Sequence, residues 1–248
     1  MARRVGLVAL PLATFAALGL LWQAGTWALG ARTPIAGEFG PWPACLALVR
    51  LLADGEILMH AATTLRRIAV GLAIALAVGV PLGLAVGLSP RFAHATTPLF
   101  QLLRMVSPLS WMPLAVIALG IGDAPVHFLL AYAAVWPILL NTAAGVTALD
   151  GEWLQLARSL AATRRETLRH VILPGIAPQV LTGIRLAIGL LWIVVVPAEM
   201  LGVSAGLGYF VLDARDRLAY PELMAAIVLI GGLGWALDAV ARAVFVRG

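Results

Sequence analysis

Long apolar runs separated by short polar segments dominate the chain. An α-helix needs about 20 apolar residues, within a range of about 17–25, to cross the hydrocarbon core of a bilayer. Six runs approach or exceed this length, and we predict a membrane span in each of them. In chain order these runs occupy residues 5–31, 68–88, 98–119, 126–149, 180–201 and 223–241.

The first of these runs contains no ionisable residue between Arg4 and Arg32. A secretory signal peptide also starts with basic residues, but its apolar core has only about 7–15 residues. The longer run therefore favours an uncleaved anchor helix. On this basis we assign residues 1–60 to an N-terminal anchor helix and a following outer segment, and residues 61–248 to the core of the protein.

The composition supports the same interpretation. Hydrophobic residues make up 62% of the 248 residues and charged residues only 12%, whereas a soluble domain averages about 45–50% apolar and about 25% charged residues. So much apolar surface excludes a soluble domain, and it equally excludes a disordered chain. The sequence therefore predicts an all-α integral membrane protein with six transmembrane helices.

All 17 basic residues are arginine, and the chain contains no lysine. A phosphate-binding loop of the form G-x-x-x-x-G-K-[ST] requires that lysine, so any ATP that drives this protein must be bound by another chain. The arginines flank apolar runs and form no basic stripe interleaved with aromatic residues, which argues against nucleic acid as a partner. With the N-terminus inside, nine arginines fall on the inner side and six on the outer side. By the positive-inside rule, both termini are expected to be cytoplasmic.

Residues that could bind a metal or form a nucleophilic centre are sparse. Cys45 is the single cysteine, so no intrachain disulfide is possible. The four histidines lie far apart, without the spacing of a helical metal-binding pair. We therefore predict no catalytic residue and no metal ligand, which argues against a membrane-embedded enzyme.

The most informative polar segment lies between the fourth and fifth runs, at residues 150–174. Its first part has apolar residues at helical spacing, which predicts an amphipathic helix. A second helical stretch over residues 165–172 ends before Pro174. Ala157 and Ala161, four residues apart, would present a small-residue face that a partner can approach closely. From composition alone, a plain cytoplasmic linker remains the alternative.

The same segment resembles the EAA loop of ABC-importer permeases, whose pattern is E-A-A-x3-G-x9-I-x-L-P. With Val171-Ile172-Leu173-Pro174 in register, the first three residues of the pattern fall on Gln155, Leu156 and Ala157. The glycine of the pattern falls on Ala161. The chain therefore departs from the pattern where Gln, Leu and Ala replace Glu, Ala and Gly.

Further segments within roughly residues 60–245 are similar to the nitrate, sulfonate and taurine branch of these permeases. Their order along the chain matches the family's order, and the chain is identified as a member of that family. The matching segments are Thr64-Leu65-Arg66-Arg67, the proline-rich third span, Thr182-Gly183-Ile184-Arg185, Ala198-Glu199-Met200 and Gly206-Leu207-Gly208-Tyr209.

The resemblance implies a type I ABC-importer permease fold, with the permease core at residues 61–248 and a cytoplasmic EAA loop at about 150–178. It implies a subunit of the bacterial inner membrane that works with two ATP-binding cassette subunits, a second copy of itself and a periplasmic or lipid-anchored substrate-binding protein. ATP and Mg would be used by the partner ATPase, so this chain would bind no cofactor and catalyse no reaction. By position, the implied ATPase-coupling residues are Gln155, Ala157, Arg158, Ala161, Ala162, Thr163, Arg164 and Arg165.

Polar residues inside the spans indicate a substrate pathway, because ionisable side chains in a membrane are costly and are functional by default. Arg104 in the third span and Glu199 in the fifth are the main candidates. Ser107 and Ser110 lie where prolines interrupt the third span, and irregular backbone in transporters tends to line cavities. The alternatives are charged residues that pair or snorkel at a membrane edge and an ordinary proline kink.

From the resemblance we expect a small organosulfonate, such as taurine or an alkanesulfonate, to be moved by alternating access. Nitrate or another small solute is the alternative substrate. A self-contained secondary transporter is the rival from a different class. That class would need inverted repeats and an intramembrane ion site, and neither is evident in the sequence.

Overall fold

The computed structural model describes residues 2–31 and 33–245, and every regular element within these ranges is a helix. This architecture agrees with the all-α prediction. Arg32 and Arg247, which entered the comparison of inner and outer arginines, lie outside the described residues.

Three helices form the first part of the chain. Helix α1 (Ala2–Gly30) covers the first predicted span, and a 3-10 turn at Pro34–Phe39 leads into α2 (Pro41–Asp54). Gly55 ends α2 with a φ of 77°, a left-handed conformation that glycine adopts without strain. Helix α3 (Glu56–Leu88) then runs for 33 residues and begins well before the second predicted span.

The third predicted span is broken. Helix α4 (Pro90–Met105) is followed by a 3-10 turn at Pro108–Trp111 and by α5 (Met112–Leu119), and the two halves are bent by 89°. Pro108 and Pro113 supply no backbone N–H, so the ladder of helical hydrogen bonds is interrupted here. The interruption that the sequence indicated at these prolines is present.

The polar segment after the next span begins with a short helix, as the sequence predicted, but its second helical stretch does not end before Pro174 as expected. Helix α6 (Asp123–Thr147) is followed by α7 (Gly151–Ser159) and α8 (Arg164–Thr167). One stretch of π-helix at Leu168–Ile172 joins α8 to α9 (Leu173–Glu199). The helical run is therefore continuous from α8 to the end of α9.

The last described helices are α10 (Leu207–Asp216) and α11 (Tyr220–Phe245). Four helical runs are long and apolar enough to cross a bilayer, namely α3, α6, the run from α8 to α9, and α11. The bent pair of α4 and α5 makes a fifth candidate if it counts as one span. The searched residues thus hold four or five candidate spans, whereas the sequence predicts six. The remaining predicted span is α1, in which the side chains of residues 2–12 lie outside the description.

The chain divides into two compact units. The smaller unit lies within residues 1–60 and 210–231, and the larger unit lies within residues 61–209 and 232–248. Helices α1 and α2 belong to the smaller unit, and α4 to α9 belong to the larger one.

The core of the larger unit is the seam between α6 and α9, which pack against each other along much of their length. Leu129 and Ile138 of α6 and Leu191 of α9 are completely buried in this seam. A Cβ at Gly183 would lie 3.0 Å from the carbonyl oxygen of Pro137, so the glycine permits the close approach of the two helices.

Glycines at four-residue spacing also bring α3 against α6. A Cβ at Gly83 would lie 2.6 Å from the carbonyl oxygen of Leu139, and one at Gly87 would lie 2.5 Å from Cβ of Val146. Side chains at these positions would force the helices apart, so small residues define this contact.

The smaller unit is held by contacts of the segment that follows α1. Nε1 of Trp22 donates to the carbonyl oxygen of Phe39 at 2.9 Å, and the Phe39 ring lies 4.6 Å from that of Tyr220 between centroids. Within this unit, α2 and the start of α11 border a cleft of about 460 Å³, whose lining includes Trp42 and Arg50.

Candidate functional site

Two arginines near the start of the second predicted span meet two carboxylates from distant parts of the chain. Arg67 is 2% exposed and Glu199 is completely buried, and Nη1 of Arg67 donates to Oε1 of Glu199 at 2.7 Å. Nε and Nη2 of Arg67 both donate to Oδ1 of Asp123, at 3.0 and 2.6 Å. Arg66, which is 64% exposed, donates to Oδ2 of Asp123 at 2.6 Å. These four residues, which we call the Arg67 cluster, carry no net charge.

Neutral groups complete the surroundings of Glu199. Oγ1 of Thr64 donates to the Glu199 carboxylate at 2.9 Å and accepts a hydrogen bond from the backbone N–H of Leu207, also at 2.9 Å. The backbone N–H of Gly208 donates to Oε2 of Glu199 at 2.9 Å. A buried carboxylate is tolerated when it is paired and hydrogen-bonded, and Glu199 meets both conditions.

The loop between α9 and α10 approaches Glu199 closely because it carries glycines. Gly206 has a φ of 116°, and a Cβ at this position would lie 2.4 Å from the Glu199 carboxylate. A Cβ at Gly208 would lie 2.2 Å from the carbonyl oxygen of Val196. The G-L-G sequence thus lets the backbone close over the buried carboxylate.

Glu199, which the sequence predicts as a pathway residue, lies inside the chain and does not face an open cavity of the described residues. Its side chain is completely buried, and its oxygens are engaged by Arg67, Thr64 and Gly208. The position of Glu199 inside a span suggested a pathway role. Its partner Arg67 lies 132 positions away in the sequence, so local pattern did not reveal the pair.

Thr64, Arg67 and Asp123 were not among the predicted site residues. A signal for two of them was present, because Thr64-Leu65-Arg66-Arg67 was recognised as a family segment at the start of a span. The segment Gly206-Leu207-Gly208 was recognised as another.

Helix α7 ends in a Schellman motif. The N–H of Ala162 donates to the carbonyl of Ala157, and the N–H of Ala161 donates to the carbonyl of Arg158, both at 3.0 Å. Ala161 has a φ of 53°, the left-handed conformation in which a non-glycine residue costs about 1–2 kcal/mol. This is the position of the glycine in the EAA pattern. The chain therefore keeps the backbone geometry that glycine favours while using alanine.

Helix α8 begins with a capping box. Oγ1 of Thr163 accepts a hydrogen bond from the N–H of Glu166 at 3.3 Å, and Oε2 of Glu166 accepts one from the N–H of Thr163 at 2.7 Å. Arg158, Arg164 and Arg165 are exposed around the connection between the two helices. The caps fix both helix ends, so α7 and α8 are joined with defined geometry.

Part of the exposed surface of α7 is apolar. Trp153, Leu156 and Leu160 are 59%, 50% and 73% exposed, and their three- and four-residue spacing places them in one stripe along the helix, which we call the α7 stripe. Gln155 lies beside the stripe and is also exposed. Ala157 is only 5% exposed, so it packs against the chain itself. Of the two alanines expected to form a small-residue face, Ala157 is buried and Ala161 is exposed.

A groove of about 550 Å³ lies between the end of α4, the middle of α6 and α9. On its α6 side, the hydroxyl of Tyr132 donates to the carbonyl oxygen of Leu103, and the Tyr132 ring meets that of Trp136 edge-on with centroids 5.6 Å apart. We call this cavity the Arg104 groove. Its lining includes Arg104, Tyr132, Trp136, Leu140, Leu186 and Leu190.

Arg104 is exposed in the last turn of α4, and no carboxylate of the described residues forms an ion pair with it. Ser107 and Ser110 are exposed at the break, where the N–H of Ser110 donates to the carbonyl of Ser107 at 3.0 Å, but neither residue lines the groove. The structure thus places Arg104 beside aromatic residues of α6 instead of beside the two serines expected to assist it.

Among the residues that the structure describes, no three His, Cys, Asp or Glu side chains are arranged to hold a metal ion. Cys45 is an exposed free cysteine. The candidate functional features are therefore the Arg67 cluster, the α7 stripe and the Arg104 groove.

Residues 79–246 match the family of binding-protein-dependent transport system inner membrane components. The chain belongs to this family. It is accordingly a multi-pass permease of the inner membrane and a non-catalytic subunit of its transport system. The family assignment agrees with the resemblance noted from the sequence.

Three relatives illustrate the range of transport systems to which this permease is similar. A nitrate import permease of Leptolyngbya laminosa is 36% identical over 75% of this chain and 67% of its own length. A bicarbonate transport system permease of Synechococcus elongatus is 34% identical over 75% of this chain and 67% of its own length. The taurine transport system permease of Escherichia coli is 34% identical over 95% of this chain and 87% of its own length.

The fold is that of a solved ABC-transporter permease. A chain of the MetNI methionine ABC transporter, in an inward-facing conformation, superimposes with a TM-score of 0.65. The superposition covers 79% of this permease and 97% of that chain. Because only 15% of the aligned residues are identical, this likeness concerns the fold alone.

Replacing Arg67 by methionine should destabilise the permease strongly, because Glu199 would stay buried without its partner. Removing one member of a buried ion pair costs about 3–5 kcal/mol, and unfolding in mixed micelles would measure the loss. Arg66→Met is the matched control, since exposed ion pairs contribute only about 0–1 kcal/mol. Equal stability of Arg67→Met and the unaltered permease would contradict the structural role of the Arg67 cluster.

Gly206→Ala should also destabilise the permease, because the added Cβ meets the Glu199 carboxylate and the backbone conformation is strained for alanine. The strain alone costs about 1–3 kcal/mol. Gly189→Ala on α9 is the control, since a Cβ there meets nothing within 4 Å. Thermal unfolding in detergent would compare the two variants, and a stable Gly206→Ala protein would argue against the close loop contact.

Proposed function

We propose that this permease is the transmembrane subunit of a bacterial ABC importer for a small organosulfonate, such as taurine or an alkanesulfonate. The main support is the extent of similarity, since the taurine permease aligns with 95% of this chain and the nitrate and bicarbonate permeases with 75%. A sulfonate also suits Arg104, because a guanidinium forms strong charge-assisted hydrogen bonds with anionic oxygens. Nitrate and bicarbonate are the alternatives within the same transport role.

In the proposed importer, two copies of the permease with a type I fold and six spans each enclose the pathway, and both termini lie in the cytoplasm. Two ATP-binding cassette subunits bind the cytoplasmic side and use ATP and Mg. A periplasmic or lipid-anchored binding protein delivers the substrate to the outer segments. The cleft beside Trp42 and Arg50 belongs to the surface proposed for that delivery.

The α7 stripe is the proposed contact with the ATPase. Contiguous apolar side chains on an exposed helix mark a protein interface, and the exposed Arg164 and Arg165 at the start of α8 would add charge at its edge. When ATP closes the ATPase dimer, the docked helices move with it. The continuous run from α8 through α9 would carry this displacement into the membrane and shift the permease between its inward-open and outward-open states.

Leu156→Asp should abolish uptake while leaving membrane insertion intact, because it places a charge in the proposed apolar contact. Copurification of the ATPase with the tagged permease should fall at least tenfold, and uptake of labelled substrate should fall with it. Ser159→Asp introduces the same charge on α7 beside the stripe and should retain most of both activities. Normal ATPase copurification with Leu156→Asp would show that α7 is not the contact.

A strain that lacks this permease and other sulfonate importers should not grow on taurine or alkanesulfonates as sole sulfur source. It should grow normally on sulfate, and the intact gene should restore growth on sulfonates. Unimpaired sulfonate uptake in the deletion strain would refute the substrate assignment, and a defect confined to nitrate or bicarbonate would redirect it. Uptake that persists without any ATPase subunit would instead favour a secondary transporter.

A further inference from the structure

We propose that the Arg104 groove binds the substrate during translocation and selects monoanions that carry an apolar hydrocarbon body. The proposal rests on the permease function above and adds to it a site and a preference among anions. The volume of the groove, about 550 Å³, lies within the range of about 300–1,000 Å³ that is typical of small-molecule sites.

The charge of Arg104 determines which kind of occupant suits the groove. A guanidinium without a counter-charge is costly in a membrane span, so an anionic group is favoured beside it. The carboxylates of Asp123, Glu199 and Asp238 are each already paired with an arginine. A second copy of the chain packed over the groove would have to break one of these pairs to bring its carboxylate to Arg104. A hydrocarbon lipid tail would leave the arginine without a counter-charge.

The walls of the groove favour an anion that has an apolar part. Tyr132, Trp136, Leu186 and Leu190 supply aromatic and aliphatic surface, and the binding energy of an alkyl or aryl group grows with the apolar area that leaves water. Nitrate and bicarbonate have no such group to place against these walls. The class that matches both features of the groove is an alkane- or arenesulfonate or a similar organic monoanion.

The polar groups of the groove are few, which is consistent with release of the substrate. The Nδ2 of Asn141 donates to the carbonyl of Pro137 at 2.8 Å, and the Tyr132 hydroxyl donates to Leu103. These donors are engaged within the chain. Nε1 of Trp136 has no hydrogen-bond partner within the chain, and Arg104 is the charged group left to hold the anion. A site with one charged contact binds more weakly than one with a full ring of donors.

The test measures direct binding to the permease–ATPase complex in nanodiscs, without the binding protein, by calorimetry with ethane-, propane-, butane- and pentanesulfonate. The Kd should fall about threefold to fourfold for each added methylene. Nitrate and uncharged 1-butanol should show no binding at the same concentrations, after subtraction of empty nanodiscs. Arg104→Gln should weaken the binding of every sulfonate at least tenfold, and Arg104→Lys should restore part of it.

A pair of variants on α9 separates the groove from general partition into the membrane. Leu190→Gln should flatten the dependence on chain length, whereas Ile193→Gln, at an exposed position that does not line the groove, should preserve it. No dependence on chain length, or identical behaviour of the two variants, would overturn the groove assignment. Sulfonate-dependent growth that persists in that case would leave the proposed function intact, so the two failures are distinguishable.

Discussion

A carboxylate buried in a membrane protein has to be neutralised where it lies, and the pair of Arg67 with Glu199 meets this requirement. Because the same guanidinium also binds Asp123, one side chain joins α3, the beginning of α6 and the end of α9. The N–H of Gly208 donates to Glu199, so the segment that follows α9 lies against the pair. Helices α6 and α9 also wall the Arg104 groove.

The parts of the fold that depend on local composition could be predicted from the sequence. The lengths of the apolar runs indicated α6, α9 and α11, prolines indicated the break after α4, and helical spacing indicated α7. The start of α3 was missed because residues 56–67 contain Glu56, His60 and two arginines, which is too polar for a lipid-facing run. These residues are nevertheless helical. Their arginines are neutralised by Asp123 and Glu199, which are too distant in the sequence to be recognised from neighbouring residues.

The local sequence pattern did not show which way the side chains of the site point. Arg104 was predicted as a pathway residue and does line the groove, but its companions there come from α6 and α9. Ser107 and Ser110 do not line the groove, although Pro108 between them does. Ala157 is a second example. Helical spacing shows which residues share a face of α7, but it does not show which face the rest of the chain covers. The distinction appears only when the burial of Ala157 is compared with the exposure of Leu156.

The connection between α7 and α8 is defined by hydrogen bonds of the backbone. The Schellman bond from Ala162 to Ala157 is followed directly by the capping box of Thr163, so every residue of the connection has a fixed place. The side chain of Ala161 takes no part in these bonds, which explains how alanine stands where the pattern has glycine. Inserting or deleting one residue would instead break the caps and rotate α8 by about 100° about its axis. The length of this segment is therefore more constrained than the identity of the residues that lie outside the capping box.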